Sequence, residues 1–282
     1  MDFISGEKFS KLCDVSIYKK RTLLLFPNLI KHSNKIICTS NRFPQYNVTN
    51  KLFFVKTDEL KYFELFVLPH INYPFVLVTH NSDFPSGKNK KILNNPYLIK
   101  WFGQNMIGSH KKTMGIPIGI QNTQWPGSDF SVLQKAIKNS KKELAYFYFS
   151  IKTNLDRKKI FNAILNNGFK PSSTKKLSWK QYIQKLSTYF FCFAPEGNGI
   201  DTHRLWECLY IGCIPIVKKN PILFQWFSDL PILWVDDFNQ ITIEFLKKKK
   251  EWFISQKWNI EKLSLSYWKK LITSTTTTFT TT

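Results

Sequence analysis

Residues 190–217 read FFCFAPEGNGIDTHRLWECLYIGCIPIV. Residues 190–194 are a short apolar, aromatic run of the kind that forms a buried strand, and Pro195, Gly197 and Gly199 end it. A helix is expected from Asp201 or Thr202, either of which can cap it by accepting a bond from a free N–H of the first turn. Gly212 closes it as a left-handed C-cap. Residues 213–217 resume as a buried strand. Strand, turn, helix and strand in that order make a βαβ unit, which predicts an α/β fold with a parallel sheet. The loop and the helix start then lie at the carboxyl edge of that sheet, where such folds bind ligands.

The helix start offers free N–H donors and the positive end of the dipole, worth roughly 0.3 to 1 kcal/mol for an exposed anion and about 2 when partly buried. Arg204 and Glu207, three residues apart, share a helix face. An arginine fork suits a pyrophosphate because it donates two parallel bonds, and a carboxylate suits ribose hydroxyls because it only accepts. Together they point to a nucleotide diphosphate, with or without a sugar attached. The plain alternative is a solvated i,i+3 ion pair worth about 0.2–0.5 kcal/mol. The candidate donor-binding residues of this segment are Gly197, Asn198, Gly199, Asp201, Thr202, His203, Arg204 and Glu207, with a capping or packing role as the alternative for His203. Arg157 joins them. It stands in the first turn of a second expected helix, 156–165, where a cation opposes the dipole and so suits an anionic ligand, a solvated surface residue being the alternative.

Pro195, Gly197, Arg204, Glu207, Gly212, Cys213 and Pro215, in the order P-x-G, R-x-x-E, G-C-x-P, resemble the C-terminal signature of exostosin-like glycosyltransferases, family 47. Leu223, Phe227, Ser228, Asp229 and Leu230 ahead of residues 232–235 resemble it too. The similarity is strongest over residues 189–237, and the chain looks most like the small soluble members found among bacteria and large algal viruses. The resemblance implies a GT-B fold, two Rossmann-like domains with a cleft between them. It further implies a nucleotide-sugar donor, UDP-linked and with UDP-xylose among the options, and inverting transfer to a glycan hydroxyl. A GDP-fucose-dependent fucosyltransferase-like enzyme is the nearest rival, because its signature also places a basic residue and a Glu on a helix before a G-x-x-P strand.

At 282 residues and 43% hydrophobic content the chain can build two cores. The expected division is an acceptor-side domain over 1–135, a donor-binding domain over 136–272 and a disordered Thr-rich tail over 273–282, with the linker in the polar, Lys-rich stretch 128–142. Forty-one Lys and Arg against 19 acidic residues give a net charge of +22. That charge makes a basic protein gripping nucleic acid or acidic glycan the competing functional class. The basic residues are scattered along the chain, so no nucleic-acid partner is expected. Five cysteines without a CxxC pair read as small core residues in a reducing compartment. No apolar run approaches 18 residues and no leader pattern is present, which predicts a soluble cytoplasmic protein without a membrane span.

In the first domain, strands are expected at 22–29, 35–39, 51–55, 74–79 and 116–120, with a helix over 63–68. His80, Asn81 and Asp83 follow the fourth strand at a carboxyl end. Acceptor activation needs a carboxylate or His near the anomeric carbon. Asp83 is the catalytic candidate, with His80 and Asn81 beside it on the acceptor side, and an Asx turn is the alternative for Asp83. There is no D-x-D, only Asp236-Asp237 read as a turn or helix cap, and the histidines show no zinc spacing. No bound metal and no tightly bound cofactor are expected, the nucleotide sugar serving as co-substrate.

Overall fold

Alternating apolar runs and short helices produce two all-parallel sheets in the computed structural model, which describes residues 2–19, 36–39, 51–123 and 129–277. By internal packing the chain divides into one unit of residues 2–118 and 264–282 and another of residues 119–263. The division falls at 118/119, ahead of the expected linker. The expected strand 22–29 lies outside the described residues.

The first unit carries a six-stranded sheet in the order β2-β1-β3-β4-β5-β6. Its strands are β1 (Val15–Lys19), β2 (Ile36–Thr39), β3 (Leu52–Lys56), β4 (Phe75–His80), β5 (Leu98–Gly103) and β6 (Thr113–Gly115). Helix α1 (Gly6–Leu12) precedes β1, α2 (Lys90–Leu93) precedes β5, and an irregular helical run over 57–70 links β3 to β4. β3 and β4 are buried almost throughout, as apolar runs in a parallel sheet should be. Phe53 packs edge-on to Phe75 at 5.8 Å and against Phe63 at 5.9 Å. The expected strand 116–120 is not formed. β6 ends at Gly115, Pro117 brings no N–H to a ladder, and Gly119 adopts φ +67.

The second unit carries a four-stranded sheet in the order β10-β9-β8-β7. β7 (Glu143–Tyr146), β8 (Tyr189–Phe193), β9 (Ile214–Lys218) and β10 (Leu233–Val235) are joined by α4 (Arg157–Asn166), α5 (Trp179–Leu186), α6 (His203–Tyr210) and α7 (Pro221–Phe227). Helix α3 (Phe130–Ala136) precedes β7 and α8 (Ile243–Ser255) follows β10. The core of this unit is aromatic. Phe147, Phe169, Phe191, Phe193 and Phe253 are buried together, with Phe169 edge-on to Phe193 at 5.1 Å.

The final helix, α9 (Leu265–Thr277), packs on α1, β4 and β5 of the first unit, with Trp268 and Ile272 fully buried. The disorder expected from Thr273 onward is therefore corrected as far as Thr277. Threonine hydroxyls there bond back along the helix, Thr273 to Lys269 O at 2.8 Å and Thr275 to Leu271 O at 2.7 Å. Among the described residues, no helix is long and apolar enough to cross a membrane.

Candidate functional site

β8, α6 and β9 form the βαβ unit that residues 190–217 predict. Gly212 takes φ +67, and Cys213 N–H bonds to Cys208 O at 2.9 Å, the 6→1 bond of a Schellman ending. The start of α6 differs from expectation. Thr202 occupies the N-cap with extended backbone, but its hydroxyl caps nothing. Asp201 is buried and accepts from the Trp206 indole N–H at 2.8 Å, because an indole donor in a core must be matched. Helix α6 therefore opens without a hydrogen bond from its N-cap side chain, and Leu205 N–H turns back to Thr202 O at 3.1 Å.

Arg204 lies in the first turn of α6. One of its Nη1 hydrogens goes to Tyr148 O at 2.7 Å, and its guanidinium carbon sits 5.1 Å from the Tyr182 ring centre and 5.9 Å from that of Tyr146. The two rings hold the cation without neutralising it. Burial pushes both phenols up, more than Arg204's charge pulls them down, so they remain uncharged at neutral pH. The Tyr182 hydroxyl is buried and has no hydrogen-bond partner among the described residues.

Arg157 converges on the same loop. Its Nε donates to Glu196 O at 2.7 Å, Nη2 to Pro195 O at 3.0 Å and Nη1 to Ser150 O at 3.1 Å. Burial, and then the positive charge of Arg204, pull its pKa down to about 10, so it stays a cation at neutral pH. Neither Arg157 nor Arg204 is in an ion pair with a carboxylate among the described residues. Two cations close enough to repel, with no acid between them, make this edge of the sheet an anion-seeking one.

Glu207 is not the solvated partner of Arg204. It is buried, and its Oε1 accepts from the Trp179 indole N–H at 2.8 Å. His203 directs Nδ1 at Gly119 O, 2.8 Å away; the carbonyl can only accept, so Nδ1 carries the proton and Nε2 is left. Gly197 receives Asn154 Nδ2 on its carbonyl at 2.8 Å. A Cβ on Gly197 would meet only ordinary contacts, 3.6 Å to Thr202 Cγ2 and 3.7 Å to Arg157 Nη2, so the folded chain itself does not require glycine there. Asn198 is exposed and Gly199 partly so, both on the outer part of the loop. Beside this loop, a cavity of about 690 Å³ is lined by Arg157, Glu196, Lys218, Asn220, Asp237 and Phe238 among others. Asn220 donates to Glu196 Oε1 at 3.0 Å, and Asp237 caps the turn 238–240 through Asn239 N–H at 2.7 Å.

In the first unit, His80 ends β4 fully buried. Its Nε2 donates to Pro117 O at 3.0 Å while Nδ1 accepts from Asn81 N–H at 2.8 Å. With both nitrogens used, His80 is a structural imidazole and not a base open to substrate. Asn81 takes φ 61, and its N–H also lies 3.0 Å from Gln104 Oε1. Gly6 passes so close that any Cβ would collide with Asn81 and His80. Asp83 is exposed on the loop after β4, its carbonyl accepting from Asn105 Nδ2 at 3.2 Å. The local turn is made by Ser82, whose Oγ accepts from Phe84 N–H at 3.2 Å. Sequence reading missed Tyr146, Tyr148, Trp179 and Tyr182, all of which reach the loop or α6 from other elements. Among the described residues, no group of three or more His, Cys, Asp or Glu side chains is placed to hold a metal ion. No protein-family model matches the chain, and no curated protein matches it in sequence.

Proposed function

We propose that this protein is a glycosyltransferase that takes a sugar from a nucleotide-diphosphate donor, with UDP as the nucleotide. The observation that carries the reading is the pair Arg157 and Arg204, two unneutralised guanidinium groups at the loop and uncapped helix start that follow β8. In this reading the departing diphosphate is stabilised by Arg204, by the remaining Arg157 hydrogens and by the α6 N–H groups, donors already in place before charge develops. Glu207, pinned by Trp179, offers its second oxygen to ribose hydroxyls. Nε2 of His203, next to Arg204, can meet the donor as an acceptor. Asp83 is the carboxylate proposed to take the acceptor's proton in an inverting transfer within a GT-B arrangement. The resemblance of P-x-G, R-x-x-E and G-C-x-P to exostosin-like enzymes supports the same chemistry.

Calorimetric and thermal-shift titration with UDP, GDP, CMP and ADP tests it. UDP at about 100 times its Kd should stabilise the fold by roughly 2.7 kcal/mol. Arg204→Lys keeps the charge but loses the planar fork, and should weaken UDP at least tenfold, about 1.4 kcal/mol, with circular dichroism unchanged. A GDP preference would move the assignment to the fucosyltransferase-like rival. No stabilisation by any of the four nucleotides would overturn the reading.

A further inference from the structure

The strands that end at Arg157 and Arg204's edge begin, at their other end, beside a different kind of surface. Leu144 and Phe190 are each the second residue of their strands, β7 and β8, and so belong to the amino edge of the sheet. They form the apolar floor of a groove of about 560 Å³ whose rim holds Lys142, Lys247, Lys248 and Lys250 against the carboxylate of Glu251. Lys250 Nζ stands 4.0 Å above the Phe190 ring, and Lys249 lies 5.6 Å from the rings of both Phe245 and Trp252. The only buried residues of α8 are Leu246 and Phe253. Ile243 and Ile254, which share one side of the helix with Lys247 and Lys250 at i, i+4, i+7 and i+11 spacing, are 42% and 62% exposed. The Lys248–Glu244 pair, 3.1 Å apart, has both side chains about three-quarters in water, so it is readily exchanged for another anion.

The chemistry of this face is cationic with protruding apolar groups. A soluble polyanion would engage the lysines and leave Ile243 and Ile254 in water. A bilayer uses both, with lysines on acidic headgroups and the isoleucines at the acyl boundary. We propose that the α8 face docks the protein peripherally on a membrane surface rich in anionic phospholipid. Contact through the amino edge leaves the carboxyl edge of the same sheet, with its arginines, away from the lipid.

Co-sedimentation of the full chain with vesicles tests this, comparing phosphatidylcholine alone with phosphatidylcholine mixed with phosphatidylserine. Binding is expected only to the mixed vesicles. Each lysine near the surface contributes roughly fivefold in partitioning. Lys247→Glu with Lys250→Glu should therefore cut binding well over tenfold. Lys175→Glu with Lys176→Glu, the same charge change at two exposed lysines elsewhere in the unit, should change it little. Ile243→Ser with Ile254→Ser should cost several-fold and leave more salt-sensitive binding, with circular dichroism confirming that each variant folds. The proposal is overturned if the wild type does not distinguish the two vesicle types, or if both lysine pairs matter equally. It is overturned too if the Ile243 and Ile254 changes have no effect, the behaviour of a site for soluble polyanions such as nucleic acid.

Discussion

Gly197 separates what the fold needs from what a ligand needs. Its carbonyl is tied by Asn154, its φ is not in the left-handed region, and a side-chain methyl would find room. Gly197→Ala should leave thermal stability unchanged or raise it by about 0.4–1 kcal/mol, through loss of freedom in the unfolded chain. If the loop amides meet a diphosphate at close range, the same methyl should lower UDP affinity by an order of magnitude. Calorimetry of the variant decides between the two, and full affinity would mean the donor does not approach this loop. The residue scale is also where sequence reading reached least far. Arg204 was identifiable from its motif, but the Tyr148 carbonyl that orients it lies 56 residues away in the chain, and its aromatic neighbours come from β7 and α5. Glu207 looked like its surface partner by spacing, and burial against Trp179 made it something else.

Elements were legible where a local signal matched the final packing. Helix α5 is announced locally, because Ser178 and Gln181 form a capping box and Ile183 and Leu186 share the inward face. The first strand, Val15–Lys19, was missed, since five residues without a turn signal on either side do not announce themselves. Lys141 sits in a lysine-rich stretch that reads as a solvated linker. Its ammonium instead donates to Ser187 O at 2.8 Å and Ile211 O at 2.7 Å, beside the carboxyl end of α6 where a cation is favoured. The clearest element-scale prediction concerns the other device at that end. Gly212 holds φ +67 with nothing within 4 Å of a would-be Cβ, so Gly212→Ala carries the left-handed backbone cost alone, about 1 kcal/mol. Urea unfolding should show that loss, and Gly212→Asn should recover part of it, because asparagine tolerates the left-handed region better than alanine. Equal losses in the two would show that the cost arises elsewhere.

At the scale of the whole molecule, the chain order and the packing order disagree in one place, and the disagreement can be tested. Residues 119–263 hold the four-stranded sheet, its aromatic core and every proposed donor-binding residue from Arg157 to Glu207. Residues 2–118 hold the six-stranded sheet but depend on α9 from the far end of the chain, since Trp268 and Ile272 are fully buried in that unit. Burying one such large side chain contributes roughly 1.5–3 kcal/mol, and domains are stable by only about 5–15 kcal/mol, so removing α9 takes away a large share. A fragment of residues 119–263 should therefore fold with a cooperative thermal transition and keep the nucleotide affinity of the whole chain. A fragment of residues 1–118 should be unfolded or molten alone and gain structure when a peptide of residues 264–282 is added, followed by circular dichroism. If 1–118 folds without the peptide, α9 is an accessory to that unit. If 119–263 folds but binds no nucleotide that the full chain binds, the donor site draws on residues outside it.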